Sequence, residues 1–163
     1  PTVVAAARQF FKLPAEDARF SIHVGCGAQY VLEKDETWDY ILVDGFDRNA
    51  RAGALDTLPF YQAVRSRLSG QGLMAVNLFG RSRGYKASVE RLLKAFDDRV
   101  VAFPSCDSGN VVAFAADGEA IERTLAELRE RARLLKTTTG LDLGPTFTRL
   151  EQSGSVPGGS LRL

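Results

Sequence analysis

Two aspartates, Asp44 and Asp47, lie three residues apart directly after the apolar stretch 40–43. Such a stretch is typical of a strand that is buried on both faces of a parallel sheet. Two carboxylates just beyond a strand can hold a cationic group and accept its proton. An aspartate after a strand also often only closes a turn, and Asp47 has Arg48 and Arg51 nearby as ion-pair partners. Both interpretations remain open from these residues alone, and no metal is expected because no cluster of metal-type ligands surrounds the pair.

The elements that position this pair follow from the period of the apolar residues, which switches between helical and strand-like spacing. Helices are predicted at residues 3–11, 27–34, 58–68, 86–96 and 118–140, and strands at residues 19–25, 39–45, 73–80, 99–105 and 110–116. The last two strands flank a loop that contains Cys106, and they are close enough in sequence to form an antiparallel pair. This order predicts an α/β fold with a mostly parallel sheet and a C-terminal antiparallel strand pair.

Several residues with polar or permissive chemistry are predicted to share one edge of this sheet. Ligands of open α/β sheets bind outside the carboxyl ends of the strands. Asp44 and Asp47 fall at that edge, together with the turn Gly25-Cys26-Gly27 and with Asn77 at the end of a later strand. The sequence therefore predicts a ligand crevice into which Asp44 points.

Composition limits the kind of protein that carries this crevice. The chain has 163 residues, 21 basic and 20 acidic side chains and a net charge of +1, so no nucleic-acid or membrane partner is expected. No secretory signal or apolar segment of membrane-spanning length is seen, and two cysteines make no disulfide framework. We therefore expect a cytoplasmic protein with one domain at residues 1–150 and a flexible tail at residues 151–163.

Two motifs carry a resemblance to a known family. "HVGCGAQYV" at residues 23–31 and "YILVDGFD" at residues 40–47, with their spacing and the surrounding sequence over residues 1–117, resemble the spermidine synthase (polyamine aminopropyltransferase) family. The resemblance implies a Rossmann-like fold of the class I methyltransferase type. It also implies a transferase of polyamine synthesis, which moves an aminopropyl group from decarboxylated S-adenosylmethionine to a polyamine or diamine, with that nucleoside as a co-substrate and no tightly bound cofactor.

The resemblance assigns roles to individual residues. Asp44 matches the general base of the family, and Asp47 matches the acid that holds the cationic polyamine. Cys26 stands where the family has an acid that reads the adenine amino group, and Gly27 and Ala28 continue the adenine-side turn. A polyamine amine has a pKa of about 10, so it arrives protonated and needs a carboxylate to take its proton. The leaving group is a neutral thioether, so no oxyanion hole is required.

The sequence also departs from the family pattern. No Gly-x-Gly-x-Gly loop occurs in the chain, which is expected to begin after that loop and after the acid that binds the ribose. A thiol at Cys26 is a weak hydrogen-bond acceptor. The family's polyamine-binding tyrosines and N-terminal β-hairpin are not identified. These departures leave three hypotheses open: an aminopropyltransferase impaired by the missing loop, a methyltransferase that uses S-adenosylmethionine, and a non-catalytic dimerising remnant.

The missing segment has a structural consequence for the strand predicted at residues 19–25. In the family this strand pairs with a strand of the segment that is expected to be absent. An apolar strand with open edges favours association. We therefore expect a homodimer or a rearranged sheet. His23, within this strand, is interpreted as a structural residue.

Overall fold

The computed structural model describes residues 2–49, 51–81, 83–105, 109–152 and 156–163. Its helices are α1 Thr2–Phe10, α2 Gly27–Glu33, α3 Leu58–Ser66, α4 Tyr85–Ala95, α5 Leu125–Thr139 and α6 Gly144–Gln152. Its strands are β1 Trp38–Val43, β2 Leu68–Phe79, β3 Val100–Ala102, β4 Asn110–Ala116, β5 Glu122–Thr124 and β6 Ser160–Arg162. Single-turn 3₁₀ helices occur at Gly53–Asp56, called the 53–56 turn below, and at Pro157–Gly159. Cys106 lies outside the described residues.

The main sheet has four strands in the order β1-β2-β4-β3. β1 pairs with β2 in parallel, whereas β4 pairs with both β2 and β3 in antiparallel orientation. The α/β class and the C-terminal antiparallel pair are thus confirmed, and the described sheet is mixed. The expectation of a mostly parallel sheet depended on a further strand at residues 19–25.

The strand predicted at residues 19–25 is wrong. The segment contains one end of an isolated bridge, between Asp17 and Phe20, and no ladder. The amide of Ile22 donates to the Glu16 carboxylate at 2.8 Å, and the His23 ring packs against Tyr30 with 4.6 Å between ring centroids. Alternating apolar residues form a strand only where a neighbour completes the ladder. In the described part of the chain no strand lies beside this segment, so its backbone bonds locally.

Helices α2, α3 and α4 pack on one face of the sheet and form the core there. Ala28 and Val31 of α2, and Phe60, Tyr61 and Val64 of α3, belong to this buried cluster. The side chains of β1 alternate between this face and the opposite face of the sheet. Tyr40 and Leu42 are 71% and 77% exposed, because no described element covers them. β1 is also an edge strand, so its outer edge is unpaired in the described sheet.

Residues 69–72, Ser-Gly-Gln-Gly, have the composition of a turn but lie inside β2, which begins at Leu68. The pairing of β1 with β2 is irregular at these residues. Trp38 of β1 pairs with Leu68, whereas Tyr40 pairs with Leu73, so β2 has extra residues between these two pairs. A bulge of this kind is where turn residues enter a strand.

The described residues of the C-terminal region include helices and a short strand pair. The helix predicted from residue 118 begins at Leu125, because Thr124 and Glu127 form a reciprocal capping box. β5 precedes it and pairs with β6, which lies within residues 151–163. Helix α6 runs across residue 150, so the division into a domain and a tail stays a prediction. Among the described helices, none is both long and apolar enough to cross a membrane.

Candidate active site

An open cleft of about 410 Å³ lies along β1 and its carboxyl end. It is bounded by α2, β1 and the 53–56 turn, and most of its wall is apolar. Asp44 is the one charged side chain among the described residues that line it. The lining residues are Gly27, Tyr30, Val31, Trp38, Tyr40, Ile41, Leu42, Val43, Asp44, Gly45, Leu55 and Phe60. A single carboxylate in an apolar cleft can select a cationic group, because few other polar groups compete for it.

Asp44 is exposed to solvent and meets Asn77 at the end of the neighbouring strand. The parallel register pairs Val43 with Val76, so the two following residues emerge side by side. Asn77 Nδ2 donates a hydrogen bond of 3.0 Å to Asp44 Oδ1. The side-chain amide must present its nitrogen, because an ionised carboxylate only accepts. The structure therefore brings together Asp44 and Asn77, two of the residues that the sequence placed at this sheet edge.

The other polar atom of the Asn77 side chain, Oδ1, is buried without a hydrogen-bond partner among the described residues. A buried acceptor without a donor is uncommon in folded proteins. The amide is thus held toward Asp44 at some energetic cost, which is the pattern expected where side-chain orientation serves a site.

Asp47 is fastened to its own loop. Its Oδ1 accepts from the backbone amides of Asn49 at 2.7 Å and Arg51 at 2.9 Å. Its own amide donates to the Arg51 carbonyl oxygen at 2.9 Å. The hydrogen bonds from Arg51 and Asn49 lower the pKa of Asp47 below its ordinary value. Asp47 is absent from the cleft wall, so its role as a polyamine ligand stays a prediction.

The predicted adenine-side residues occupy three different environments. Gly27 lines the cleft. The Cys26 thiol is exposed, precedes α2 without capping it, and lines a smaller neighbouring pocket of about 220 Å³. Ala28 is only 6% exposed and packs in the core. The side chain of Ala28 is therefore unavailable to a ligand, and the backbone of this turn is what remains to contact one.

Three further wall residues, Tyr30, Trp38 and Leu55, were not among the predicted site residues. His23, interpreted from the sequence as structural, lines the smaller neighbouring pocket. His23 and Tyr30 are in ring contact, and Tyr30 stacks on Trp38 with 6.2 Å between centroids. We call these three side chains the aromatic row. Leu55 lies against both glycine turns: a Cβ would be 2.6 Å from its Cδ1 at Gly45 and 3.5 Å from its Cδ2 at Gly27. The row could have been suspected from its aromatic residues, whereas Leu55 carries no sequence signal.

Comparison with known proteins identifies relatives along nearly the whole chain. No family model matches it. It is 35% identical to a polyamine aminopropyltransferase of Neisseria meningitidis serogroup A over 153 residues, which are 94% of this chain and 58% of that protein. It is 36% identical to a polyamine aminopropyltransferase of Chromobacterium violaceum over 161 residues, covering 99% of this chain and 62% of the relative. The chain thus spans about three fifths of the length of these curated relatives.

Solved structures give a consistent result. A spermidine synthase in complex with the transition state analogue AdoDATO has a TM-score of 0.59 and 29% identity, over 72% of this chain and 44% of that one. The spermidine synthase of Thermotoga maritima has a TM-score of 0.56 and 28% identity, over 72% and 43%. Human methyltransferase-like protein 13 in complex with SAH has a TM-score of 0.73 over 88% and 69%, and its 24% identity supports the fold alone. These relationships confirm that the chain resembles the spermidine synthase (polyamine aminopropyltransferase) family, on a methyltransferase-type Rossmann-like fold.

Proposed function

We propose that this chain provides the amine-activating part of a polyamine aminopropyltransferase, which transfers an aminopropyl group from decarboxylated S-adenosylmethionine to a diamine. The observation that carries the proposal is the position of Asp44. It is the charged group of an open apolar cleft at the carboxyl end of β1, oriented by Asn77, in a chain related to proteins of that name.

Asp44 is proposed as the general base. The attacking amine reaches the cleft as an ammonium ion, which Asp44 first holds by charge. Transfer of one proton to the carboxylate frees the nitrogen lone pair. The nitrogen then attacks the methylene carbon beside the sulfonium, the carbon–sulfur bond breaks, and its electron pair leaves with sulfur as a neutral thioether. Asp47 is proposed to hold the distal cation, as a carboxylate whose lowered pKa keeps it ionised.

The nucleoside side of the cleft is proposed to lie between the aromatic row and Leu55. A flat purine can stack on Tyr30 or Trp38, and the thioether chain can lie along the apolar wall of β1. Cys26 supplies a weak acceptor, so base recognition is assigned to the backbone at Gly27 rather than to the thiol. The AdoDATO bound by the related spermidine synthase supports a nucleoside thioether as the class of co-substrate.

Product analysis tests this function. The chain is incubated with decarboxylated S-adenosylmethionine and 1,4-diaminobutane, and the mixture is separated and identified by mass spectrometry. The expected result is the aminopropylated amine and 5′-methylthioadenosine in equal amounts. A methylated amine formed only from S-adenosylmethionine would instead support the second candidate, a methyltransferase on the same fold. Absence of both products, with the chain folded, would support the non-catalytic alternative.

Replacement of Asn77 tests whether the orientation of Asp44 matters. Asn77→Leu keeps the side-chain size but removes the donor to Asp44. A hydrogen bond to a charged group is worth about 1.5–3 kcal/mol, so we expect transfer to fall by about tenfold or more. Phe79→Leu is the control, because residue 79 lies on the same face of β2 and outside the cleft wall. Equal transfer rates in the two variants would contradict a role for Asn77.

We also propose a cytoplasmic homodimer that forms through the outer edge of β1. Support comes from the backbone edge of β1, which is unpaired in the described sheet. Light scattering is expected to give about twice the chain mass of 17.8 kDa. Leu42→Lys places a charge on this strand and is expected to shift the mass to that of one chain; because Leu42 also lines the cleft, this variant is assayed for mass only. A wild-type monomer at high concentration would rule the dimer out.

A further inference from the structure

Asp56 is the centre of a polar cluster beneath the candidate site. Its Oδ1 accepts a 2.9 Å hydrogen bond from the Tyr61 hydroxyl. Its Oδ2 accepts from the Ser88 hydroxyl at 2.7 Å and from Arg91 Nη2 at 2.6 Å. Asp56 ends the 53–56 turn, Tyr61 lies in α3, and Ser88 and Arg91 lie in α4. One carboxylate therefore ties a loop to two core helices.

The Tyr61 and Ser88 members of the cluster are shielded from water, whereas the Arg91 side chain is 31% exposed. Tyr61 is fully buried, Ser88 is 6% exposed, and the Asp56 side chain is 21% exposed. Burial, followed by the charge and hydrogen bond of Asp56, raises the pKa of Tyr61 above its ordinary value. Tyr61 therefore stays a neutral donor. Hydrogen-bond networks in low-dielectric surroundings are costly to break. In this cluster Arg91 Nε is buried without a partner among the described residues, so Arg91 is held to Asp56 through Nη2.

This cluster lies next to the cleft in sequence and in space. Leu55 immediately precedes Asp56 and packs over Gly45 and Gly27, the glycines on either side of the cleft. The loop that begins at Asp44 thus ends at an anchored residue. Asp47 fastens the first part of this loop through the amide of Arg51, and Asp56 fastens its last part to the core.

We propose that Asp56 is a positioning residue, which sets the place of Leu55 and thereby the width of the cleft between the two glycine turns. Asp56 lines no part of the cleft and needs no contact with a ligand. The identity of the ligand in the cleft rests on the proposed function, whereas the anchoring of the loop by Asp56 does not.

Two aspartate-to-asparagine variants test the proposal. Asp56→Asn removes the charge opposite Arg91 and one accepting oxygen. Asp117→Asn is the control, because Asp117 accepts from Arg65 Nε at 3.0 Å and so fastens α3 from a place outside the cleft wall. Three quantities are measured for each: urea unfolding, hydrogen exchange of the Arg51 and Leu55 amides, and calorimetric affinity for 5′-methylthioadenosine. Both amides are hydrogen-bonded in the structure, to Asp47 Oδ1 and to the Ala52 carbonyl oxygen.

We expect Asp56→Asn to speed exchange at Arg51 and Leu55 about tenfold and to weaken nucleoside affinity about tenfold, as for loss of a charged hydrogen bond. Asp117→Asn is expected to leave the exchange rates and the nucleoside affinity within about twofold of wild type. This is expected even where the two variants unfold at similar urea concentrations. Equal exchange at these amides in the two variants would overturn the proposal. If the wild-type chain binds no nucleoside, the proposed function fails and the exchange comparison still decides this one. Ser88→Ala, which removes a single donor to Asp56, shows the same change to a smaller extent if Asp56→Asn does not fold.

Discussion

Aminopropyl transfer by an Asp44→Asn variant is expected to be about 100- to 10,000-fold slower than by the wild-type chain, the usual contribution of a general base. Asparagine keeps the size of the side chain, so the cleft retains its shape. It has no charge to hold an ammonium ion and cannot take its proton. The ratio kcat/KM, measured by the release of 5′-methylthioadenosine, reports the loss.

Asp39→Asn is the matched control for this variant. Asp39 is an exposed acid in β1, the strand that Asp44 follows, and its carboxylate accepts from the Ser69 hydroxyl at 2.6 Å. It is absent from the cleft wall. Transfer by Asp39→Asn is expected to stay within about twofold of wild type, as for surface changes away from a site. Near wild-type transfer by Asp44→Asn would remove Asp44 from the mechanism.

The largest expected loss of stability is at Gly118, in the turn that follows β4. Gly118 has φ +129°, a conformation that side chains rarely adopt, and a Cβ there would lie 2.1 Å from the Gly70 carbonyl oxygen. Both atoms of that contact belong to the backbone or are rigidly attached to it. Strain and overpacking each cost about 1–3 kcal/mol, so Gly118→Ala is expected to lower the free energy of unfolding by about 2–6 kcal/mol.

Gly140→Ala separates these two causes. Gly140 has φ +77° at the end of α5, and a Cβ there would meet no atom within 4 Å. It carries the left-handed strain without the clash, so a loss of about 1–2 kcal/mol is expected. Urea unfolding of both variants measures the difference. Equal losses would show that the contact between Gly118 and Gly70 is not rigid.

Local rules were enough to predict the part of the site that lies at strand ends. Asp44 follows β1 and Asn77 lies near the end of the neighbouring parallel strand β2, and the register brings them to hydrogen-bond distance. The helices α3 and α4 followed from apolar residues at helical spacing, because those residues pack on the sheet. The segment 19–25 has the pattern of a strand but no neighbouring strand among the described residues. The sequence of one segment does not show whether another strand is present to pair with it.

Other parts of the site depend on contacts between distant segments. Asp56 meets Ser88 and Arg91, which are 32 and 35 residues away, and only the packing of α3 against α4 brings them together. Leu55 joins two glycine turns for the same reason. By contrast, the start of α5 can be predicted from the local sequence, because Thr124 and Glu127 have the spacing of a capping box.

A calorimetric titration of the chain with 1,4-diaminobutane, in the presence of saturating 5′-methylthioadenosine, tests most directly whether the cleft beside Asp44 is an amine and nucleoside site. Heat of binding is expected for both ligands with the wild-type chain. The amine signal is expected to disappear in Asp44→Asn while the nucleoside still binds. No heat from either ligand at millimolar concentration, or equal amine binding by the wild type and Asp44→Asn, would contradict the assignment of this cleft.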